Sequence, residues 1–264
     1  MNWRAYSLKR YRKRVLPILL LVVLTSGAAR VCKVDMSGLG KGLVAGLSFF
    51  GGMFPPDWSA FTEMLKPAFD SVIIALLGTF LGTVLSLFFG LAAASNISPR
   101  WLRATCRFLI GTERSLPEII ILLILVAAMG LGPFVGVLSL TIGCIGMLGK
   151  LFADTIEEID PISIESIEAL GAGKLQVIAF GVIQPIIPSI ISFALFRFEL
   201  NIRLSIVLGA VGAGGIGYEL YRAFSLLDYR KACTALIITL VMVFITERLS
   251  ASLRKKVKME GSLR

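Results

Sequence analysis

The chain has 264 residues, of which 56% are hydrophobic, and its mean hydropathy is +0.84. This composition excludes an ordinary soluble domain, since only about half of the residues in such domains are apolar. The formal charge is +10 and histidine is absent, which excludes imidazole bases and histidine metal sites. Several apolar runs approach the roughly 20 residues that cross a bilayer, so we predict an all-α, polytopic membrane protein with about six transmembrane helices.

A basic segment precedes the first apolar run, Val15–Ala29. A basic segment followed by an apolar run and small residues is also typical of a signal peptide, but this run is long and favours a retained first helix. Residues 30–67 are mixed and glycine-rich, and we predict an outer loop there. The chain then divides into an N-terminal segment (1–67), a membrane domain (68–256) and a basic tail (257–264).

The clearest span is Ala68–Ala94, and it carries a row of small residues. Four-residue steps separate Gly78, Gly82, Ser86, Gly90 and Ala94. Small residues at this spacing lie on one helix face and let helix backbones approach closely in lipid. We favour packing inside the protein for this face, with an oligomer contact as the alternative.

The remaining spans are separated by charged segments. We predict them at Ile119–Met129, Phe134–Phe152, Val177–Phe196 and Ala232–Thr246. An inner loop is expected at Ser98–Arg107, and a mixed outer stretch at Arg197–Lys231. With six spans both termini lie in the cytoplasm, and most basic loops then follow the positive-inside rule.

Some polar side chains fall at or beside the predicted spans, and these are Arg114, Glu118, Arg197, Asn201 and Arg203. Charges at membrane depth are costly, so they either pair within the protein or line a pathway. Both interpretations stay open, and the second makes these residues candidates for a substrate path. The net positive charge of Arg197 and Arg203 suits an anion.

Glycine and cysteine patterns exclude several kinds of site. Gly212, Gly214 and Gly217 spell G-x-G-x-x-G, but no strand-helix-strand pattern surrounds them, so a tight turn or a flexible element is favoured over a nucleotide site. The chain also lacks a P-loop, so it would not bind ATP in that way. The four cysteines are scattered, and we expect them to be buried packing thiols with no metal bound.

An acidic segment between two apolar runs predicts a short amphipathic helix near residues 162–172. Asp160 can cap this helix, and Ile164, Ile167 and Leu170 lie on one side of it. Gly171 follows as a stop signal. Such a helix on the inner face could dock into a groove of a partner protein, or it could lie on the membrane surface.

Three blocks of the sequence closely resemble the phosphonate-type ABC importer permeases, a family that includes permeases for phosphite and hypophosphite. The blocks are GLGPFVGVLSLTIGCIGMLGKLFADTIEEIDP, ESIEALGAGKLQVIAFGVIQPIIP and RFELNIRLSIVLGAVGAGGIG. They occur in family order, and the resemblance runs from about Phe69 to Lys256. It implies the permease subunit of a type I ABC importer, with a methionine-importer-like core, in the bacterial inner membrane.

The resemblance also implies the partners and the mechanism. The permease would form a homodimer that binds an ATPase dimer, which holds ATP and magnesium, and a periplasmic substrate-binding protein. The chain itself would then hold no cofactor, no catalytic residue and no nucleic acid. A small phosphorus oxyanion would cross by alternating access driven by the separate ATPase.

The family motif E-A-A-x-x-x-G is matched at residues 165–171, so the resemblance implies a coupling helix there. The residues implied in ATPase contact are Glu165, Ser166, Ile167, Glu168 and Gly171. Ser166 and Ile167 replace the two alanines of the motif, which predicts a bulkier contact. The resemblance also implies an outer gate or binding-protein contact at Gly212, Gly214, Gly215 and Gly217.

Two other function classes are less well supported. A stand-alone secondary transporter or channel would often show an internal repeat or paired broken helices, and we find no convincing repeat. A membrane enzyme such as a phosphatase would need a metal cluster or an activated nucleophile, and the sequence shows neither.

Overall fold

The computed structural model describes residues 3–33 and 36–261, and within these ranges the regular structure is entirely helical. The chain divides into two compact units, Met1–Gly52 and Met53–Arg264. The all-α fold class predicted from composition is thereby confirmed for the described residues.

The first unit consists of helices α1 (Trp3–Val31) and α2 (Met36–Met53). Every side chain from Ile18 to Leu24 is more than half exposed, as expected for apolar residues that face lipid. The prediction of an outer loop at residues 30–67 is wrong, because most of these residues are helical. The glycines of α2 are compatible with a helix in lipid, where glycine is more frequent than in soluble helices.

The second unit contains the other helices in chain order. They are α3 (Phe61–Ala93), α4 (Arg100–Arg114), α5 (Glu118–Met129), α6 (Pro133–Glu157), α7 (Pro161–Ala169), α8 (Lys174–Gln176), α9 (Gln184–Leu208), α10 (Gly215–Ser225) and α11 (Tyr229–Gly261). A 3₁₀ turn precedes α3, and a π-helical segment at Val177–Ile183 leads into α9. The segment Gly209–Ala213 follows α9 and contains a kink at Gly212.

Four of the described helical stretches are long and apolar enough to cross a membrane. They are Trp58–Ala93, Pro133–Glu157, Lys174–Ala213 and Tyr229–Val257. Two shorter apolar helices, Pro17–Val31 and Glu118–Met129, add to them. This agrees with the prediction of about six transmembrane helices.

Helices α3 and α6 form the centre of the second unit, and small residues allow their close contact. An added Cβ at Gly78 would lie 2.7 Å from Leu140 Cβ, and one at Gly90 would lie 2.7 Å from Phe152 Cβ. Both contact positions advance in the same direction along the chain, so α3 and α6 run parallel. The predicted packing role of these two glycines is therefore confirmed.

Because α3 and α6 are parallel, the chain must cross back between them. Helices α4 and α5 together make this return, with a break at residues 115–117. At 1.5 Å per residue, their 15 and 12 residues span about 22 Å and about 18 Å. Neither helix alone could cross the roughly 30 Å of hydrocarbon, but the pair can.

Two predicted loops are helical instead. The predicted inner loop Ser98–Arg107 lies mostly in α4, and the predicted outer stretch Arg197–Lys231 begins inside α9. Charged residues had marked both segments as loops. In the structure several of these charges are paired with carboxylates against neighbouring helices, so the helix continues through them.

The cysteine prediction is confirmed at Cys106, Cys144 and Cys233, which are buried free thiols. It is wrong for Cys32, which is exposed at the end of α1. A sequence pattern of isolated cysteines cannot distinguish these environments, because exposure depends on the neighbouring helices.

The start of α3 is fixed against the start of α11. The Thr234 hydroxyl donates to the carbonyl of Asp57 at 2.9 Å, and the Asp57 amide donates to the carbonyl of Arg230 at 3.3 Å. The Asp57 carboxylate accepts from the Ser59 hydroxyl and amide, and these hydrogen bonds lower the pKa of Asp57. The two long helices are therefore joined at this end.

We expect Gly78→Ala to destabilise the protein by about 1–3 kcal/mol, because the new methyl group would overpack the α3–α6 contact. The matched control is Gly111→Ala in α4, where an added Cβ would meet nothing within 4 Å. That change should be neutral or slightly stabilising. Thermal unfolding in detergent measures both, and equal unfolding temperatures would contradict the packing role.

Candidate functional site

The break between α4 and α5 lies level with the interior of α6. The carbonyl of Glu118, the first residue of α5, accepts a hydrogen bond from the Ser139 hydroxyl at 3.4 Å. Non-helical backbone at membrane depth occurs where protein buries it or where it lines a water-filled cavity. A broken helix inside the bundle is also a common setting for ion and substrate sites.

A buried ion pair lies at this break. The Arg197 guanidinium Nη2 is 2.7 Å from Glu118 Oε1, and Arg197 is only 4% exposed. Arg197 Nη1 also contacts the Met147 sulfur at 3.6 Å. Arg197 Nε and Glu118 Oε2 are buried and form no hydrogen bond. The pair thus neutralises its charges but leaves hydrogen-bonding capacity unused.

Two glycines of α6 provide the space for these side chains. An added Cβ at Gly143 would lie 2.9 Å from Arg197 Nη2 and 3.1 Å from the Glu118 carboxyl carbon. At Gly146 an added Cβ would overlap the Glu113 carboxylate. Any larger residue at either position would displace the charged groups.

Two cavities of about 180 Å³ adjoin the break, and both are lined by Arg114. The first is otherwise lined by Glu113, Leu116, Glu118, Gly143, Met147 and Arg197. The second is otherwise lined by Ala93, Arg107, Ile110, Gly111, Lys150 and Ala153. The structure therefore brings three predicted path residues, Arg114, Glu118 and Arg197, to one cavity.

Asn201 lies one turn further along α9 and is completely buried. Its amide nitrogen is 2.9 Å from the Thr79 hydroxyl and 3.4 Å from the Cys144 sulfur, so it links α9 to both α3 and α6. Its amide oxygen has no hydrogen-bond partner. Asn201 does not line either of the two cavities, and its predicted path role stays a prediction.

Arg203, the last predicted path residue, belongs to a different network. Arg203 is 3.2 Å from Glu199 and 3.1 Å from Glu247, and Arg254 is 3.2 Å from Glu199. The network joins α9 to the C-terminal half of α11. This geometry favours the ion-pairing interpretation for Arg203, and its part in a substrate path stays a prediction.

The predicted amphipathic helix is present as α7. The Asp160 carboxylate accepts from the Ile162 amide at 3.0 Å, and Gly171, with φ +79°, follows the helix. Ile167 packs towards Gly181, where an added Cβ would lie 3.2 Å away. Leu170, however, is 86% exposed and does not share the buried face, because it lies beyond the last helical residue.

The outward side of α7 is exposed. It combines the acidic residues Glu165 and Glu168 with Ser166, whose hydroxyl bonds back to the carbonyl of Ile162 at 2.7 Å. Ile162 and Leu175 are 68% and 82% exposed. An acidic helix flanked by exposed apolar side chains is a suitable surface for another protein.

The glycine-rich segment at residues 209–217 is a tight, packed turn. The Gly132 amide donates to the carbonyl of Gly212 at 3.0 Å, and the Ile216 amide donates to the Ser71 hydroxyl at 3.0 Å. Gly212 and Gly214 have φ +122° and +81°, which other residues rarely adopt. Gly215 and Gly217 pack against Ser71 and Ile206 respectively.

Sequence reasoning missed several residues that shape these sites. Gly143 and Gly146 are separated by one helical turn, and this spacing opposite a charged helix break could have indicated their role. The pairing of Arg254 with Glu199 carried no local signal, since 55 residues separate the two. Within the described ranges no group of three or more acidic, cysteine or histidine residues could hold a metal ion.

Comparisons with known proteins give a consistent result. The profile of the family described as "binding-protein-dependent transport system inner membrane component" matches residues 82–259. The phosphite transport system permease protein PtxC of Stutzerimonas stutzeri is 36% identical over 226 residues, covering 85% of this chain and 82% of that protein. The phosphate-import permease protein PhnE of Mycolicibacterium smegmatis is 35% identical, covering 85% of this chain and 42% of that protein.

Solved structures share the fold. The membrane chain of the methionine ABC transporter MetNI, in an inward-facing form, aligns with a TM-score of 0.66 at 20% identity. The alignment covers 76% of this chain and 99% of that one. A chain of a bacterial alginate ABC transporter aligns with a TM-score of 0.57 at 16% identity, covering 92% of this chain and 99% of that one.

We expect Glu199 and Arg254 to couple by about 1–3 kcal/mol, because the contact joins a nearly buried carboxylate to a partly buried guanidinium. A double-mutant cycle with Glu199→Gln and Arg254→Gln, followed by unfolding in mixed micelles, measures this. The control cycle uses Glu219 and Arg222, a more exposed pair separated by 3.5 Å, and should give less than about 1 kcal/mol. Equal coupling energies in both cycles would contradict a structural role for the contact between Glu199 and Arg254.

Proposed function

The chain belongs to the family of binding-protein-dependent transport system inner membrane components, and it is a multi-pass membrane transport subunit. From this premise we propose that it is the permease of an ATP-driven importer for a small phosphorus oxyanion such as phosphite, hypophosphite or a phosphonate. The observation that carries the proposal is the 36% identity to a phosphite transport permease over 82% of that protein.

The cavity at the α4–α5 break supports an anionic substrate. Arg197 and Arg114 line it together with the carboxylates of Glu113 and Glu118, and a second cavity extends from Arg114 to Arg107 and Lys150. Arginine and lysine are the side chains that bind oxyanions most readily, since they donate several hydrogen bonds to one charged group. A permeant anion would therefore find donors along its way.

The exposed side of α7 supports an ATPase partner. ATP hydrolysis would take place in that separate chain, with Glu165, Ser166, Glu168 and Gly171 of this chain at the contact. Ile167 points towards Gly181, so its bulk is accommodated inside the permease and not at the partner. A stand-alone transporter or channel would not need the exposed apolar residues beside α7.

The position of α7 also supports a mechanical route to the cavity. It packs against the π-helical segment Val177–Ile183, which continues directly into α9. Helix α9 carries Arg197, so a displacement of α7 by closing ATPase subunits would move one side of the cavity. Rocking of α9 against the tightly packed α3–α6 pair would open the cavity alternately to the two faces of the membrane.

The remaining parts of the proposal concern assembly and orientation. We propose a homodimer of permeases, an ATPase dimer and a periplasmic binding protein that delivers the substrate near the Gly212–Gly217 turn. Both termini and α7 would face the cytoplasm of a bacterial inner membrane, in accordance with the positive-inside rule. No cofactor is expected in this chain.

Transport by the purified assembly in proteoliposomes tests the proposal. The permease, its ATPase and its binding protein should together import phosphite or a related oxyanion only when ATP is present. A panel of phosphite, hypophosphite, methylphosphonate, phosphate and sulfate identifies the substrate. Uptake without the ATPase chain, or uptake of none of the phosphorus oxyanions, would contradict the proposed function.

We expect Glu165→Arg to lower substrate-stimulated ATP hydrolysis at least about tenfold, because reversing the charge removes a contact of the kind worth about 1.5–3 kcal/mol. Membrane insertion should be normal, since Glu165 is exposed. The control is Glu63→Arg, the same change at an exposed residue in the first turn of α3. Stimulated hydrolysis at the unmodified level in the Glu165 variant would contradict the coupling role.

We expect Leu170→Ser to weaken co-purification of the ATPase by about tenfold or more, because a leucine side chain buried at an interface is worth about 1.5–3 kcal/mol. The control is Leu226→Ser, which changes a leucine that is 69% exposed beyond the end of α10. Pull-down of the tagged permease followed by quantification of the ATPase measures both variants. Equal recovery would show that Leu170 lies outside the docking surface.

A further inference from the structure

We propose that the cavity at the α4–α5 break is a binding site for a small tetrahedral oxyanion, at which Arg197 exchanges Glu118 for the anion. The inference rests on the proposed function and deepens it, because it assigns the substrate contact and explains how the site is occupied between transport events. Among the predicted path residues, it assigns this exchange to Arg197 and Glu118 alone.

The hydrogen-bonding state of Arg197 is the first ground for the proposal. Arg197 lines the cavity and is nearly completely buried, and its buried Nε donor has no acceptor. A buried donor without a partner carries a free-energy penalty of about 1–3 kcal/mol. An oxyanion that takes the place of the Glu118 carboxylate could accept from Nε and an Nη together, in the paired geometry that arginine offers to phosphate-like groups.

The position of Glu118 is the second ground. Its carboxylate approaches the guanidinium through one oxygen at 2.7 Å, while the other oxygen is buried without a partner. A carboxylate and a tetrahedral oxyanion present similar oxygen acceptors to an arginine. Glu118 therefore occupies Arg197 when the cavity is empty, and an incoming anion must displace it. This competition keeps the anion weakly bound, which favours its release.

The second cavity, towards the α7 end of the bundle, is also lined by cations that are paired with carboxylates, although these pairs are more exposed than Arg197 and Glu118. Arg107 is paired with Glu157, and Lys150 is paired with Asp154. The cavity is lined by residues at or near the ends of α3 and α6 that adjoin α7, and Arg114 lines both cavities. An anion that leaves Arg197 would thus meet further cations whose present partners are carboxylates it can replace.

Equilibrium binding of radiolabelled phosphite to the permease–ATPase complex in nanodiscs, without binding protein, tests the exchange. Glu118→Gln should bind phosphite at least about tenfold more tightly, because the amide competes poorly for the guanidinium. The double variant Glu118→Gln with Arg197→Gln should lose saturable binding. It removes both charges, so it avoids the unpaired buried carboxylate that Arg197→Gln alone would leave.

The partly exposed pair of α10 provides matched controls, since Glu219→Gln and Arg222→Gln make the same chemical changes at residues that do not line either cavity. Both should bind phosphite like the unmodified protein. Unchanged affinity in Glu118→Gln, or phosphite binding retained in the double variant, would overturn the assignment.

Failure of the exchange can be distinguished from failure of the proposed function. Phosphite uptake by the unmodified assembly tests the function, and the two variants test the site. Uptake that persists while Glu118→Gln leaves phosphite affinity unchanged would reject the site alone. Absence of ATP-dependent uptake of every phosphorus oxyanion would reject the function. In that case, competition between sulfate and radiolabelled phosphite in the binding assay would still test for a tetrahedral anion site at Arg197.

Discussion

The guanidinium of Arg197 lies inside an apolar helix bundle, where a charge without a partner would be very costly. Its partner Glu118 must come from another helix, and it does so at the first residue of α5, directly after a break. Gly143 has to lack a side chain so that the two groups can meet. One buried electrostatic contact thus joins the start of α5 to α9 and requires a small residue in α6 opposite it.

The surroundings of this contact differ on its two sides. Helices α3 and α6 pack so closely at Gly78 and Gly90 that a Cβ added at either position would overlap the other helix. Helix α9 is held by polar contacts, which include the Asn201 hydrogen bonds and the Glu199 ion network. It is also preceded by the π-helical segment Val177–Ile183, and such segments often occur at functional sites. The proposed alternating access would use this difference, with the closely packed α3–α6 pair on one side and α9 on the other side of a polar cavity.

The sequence predicted the spans and α7 well, because long apolar runs and an Asp-Pro helix start are local signals. It predicted the small-residue face of α3 for the same reason. It failed for α2, α4 and the C-terminal part of α9 from Arg197 to Leu208, because the charges and glycines in those segments are more typical of loops. The charges that are paired find partners distant in the sequence, as Arg107 does with Glu157. Hydropathy does not report ion pairs between distant residues, so the predicted helix boundaries were misplaced.

The amino-acid sequence by itself determined the membrane class, the approximate number of crossings, the presence of α7 and the family, because each follows from composition, periodicity or residue order. Only the tertiary structure decided which polar residues act together. Arg114, Glu118 and Arg197 share a cavity, whereas Arg203 belongs to a network with Glu199 and Glu247. The physical reason is that the role of a charged side chain in a helix bundle depends on its nearest partner. Helix packing determines which residue that partner is.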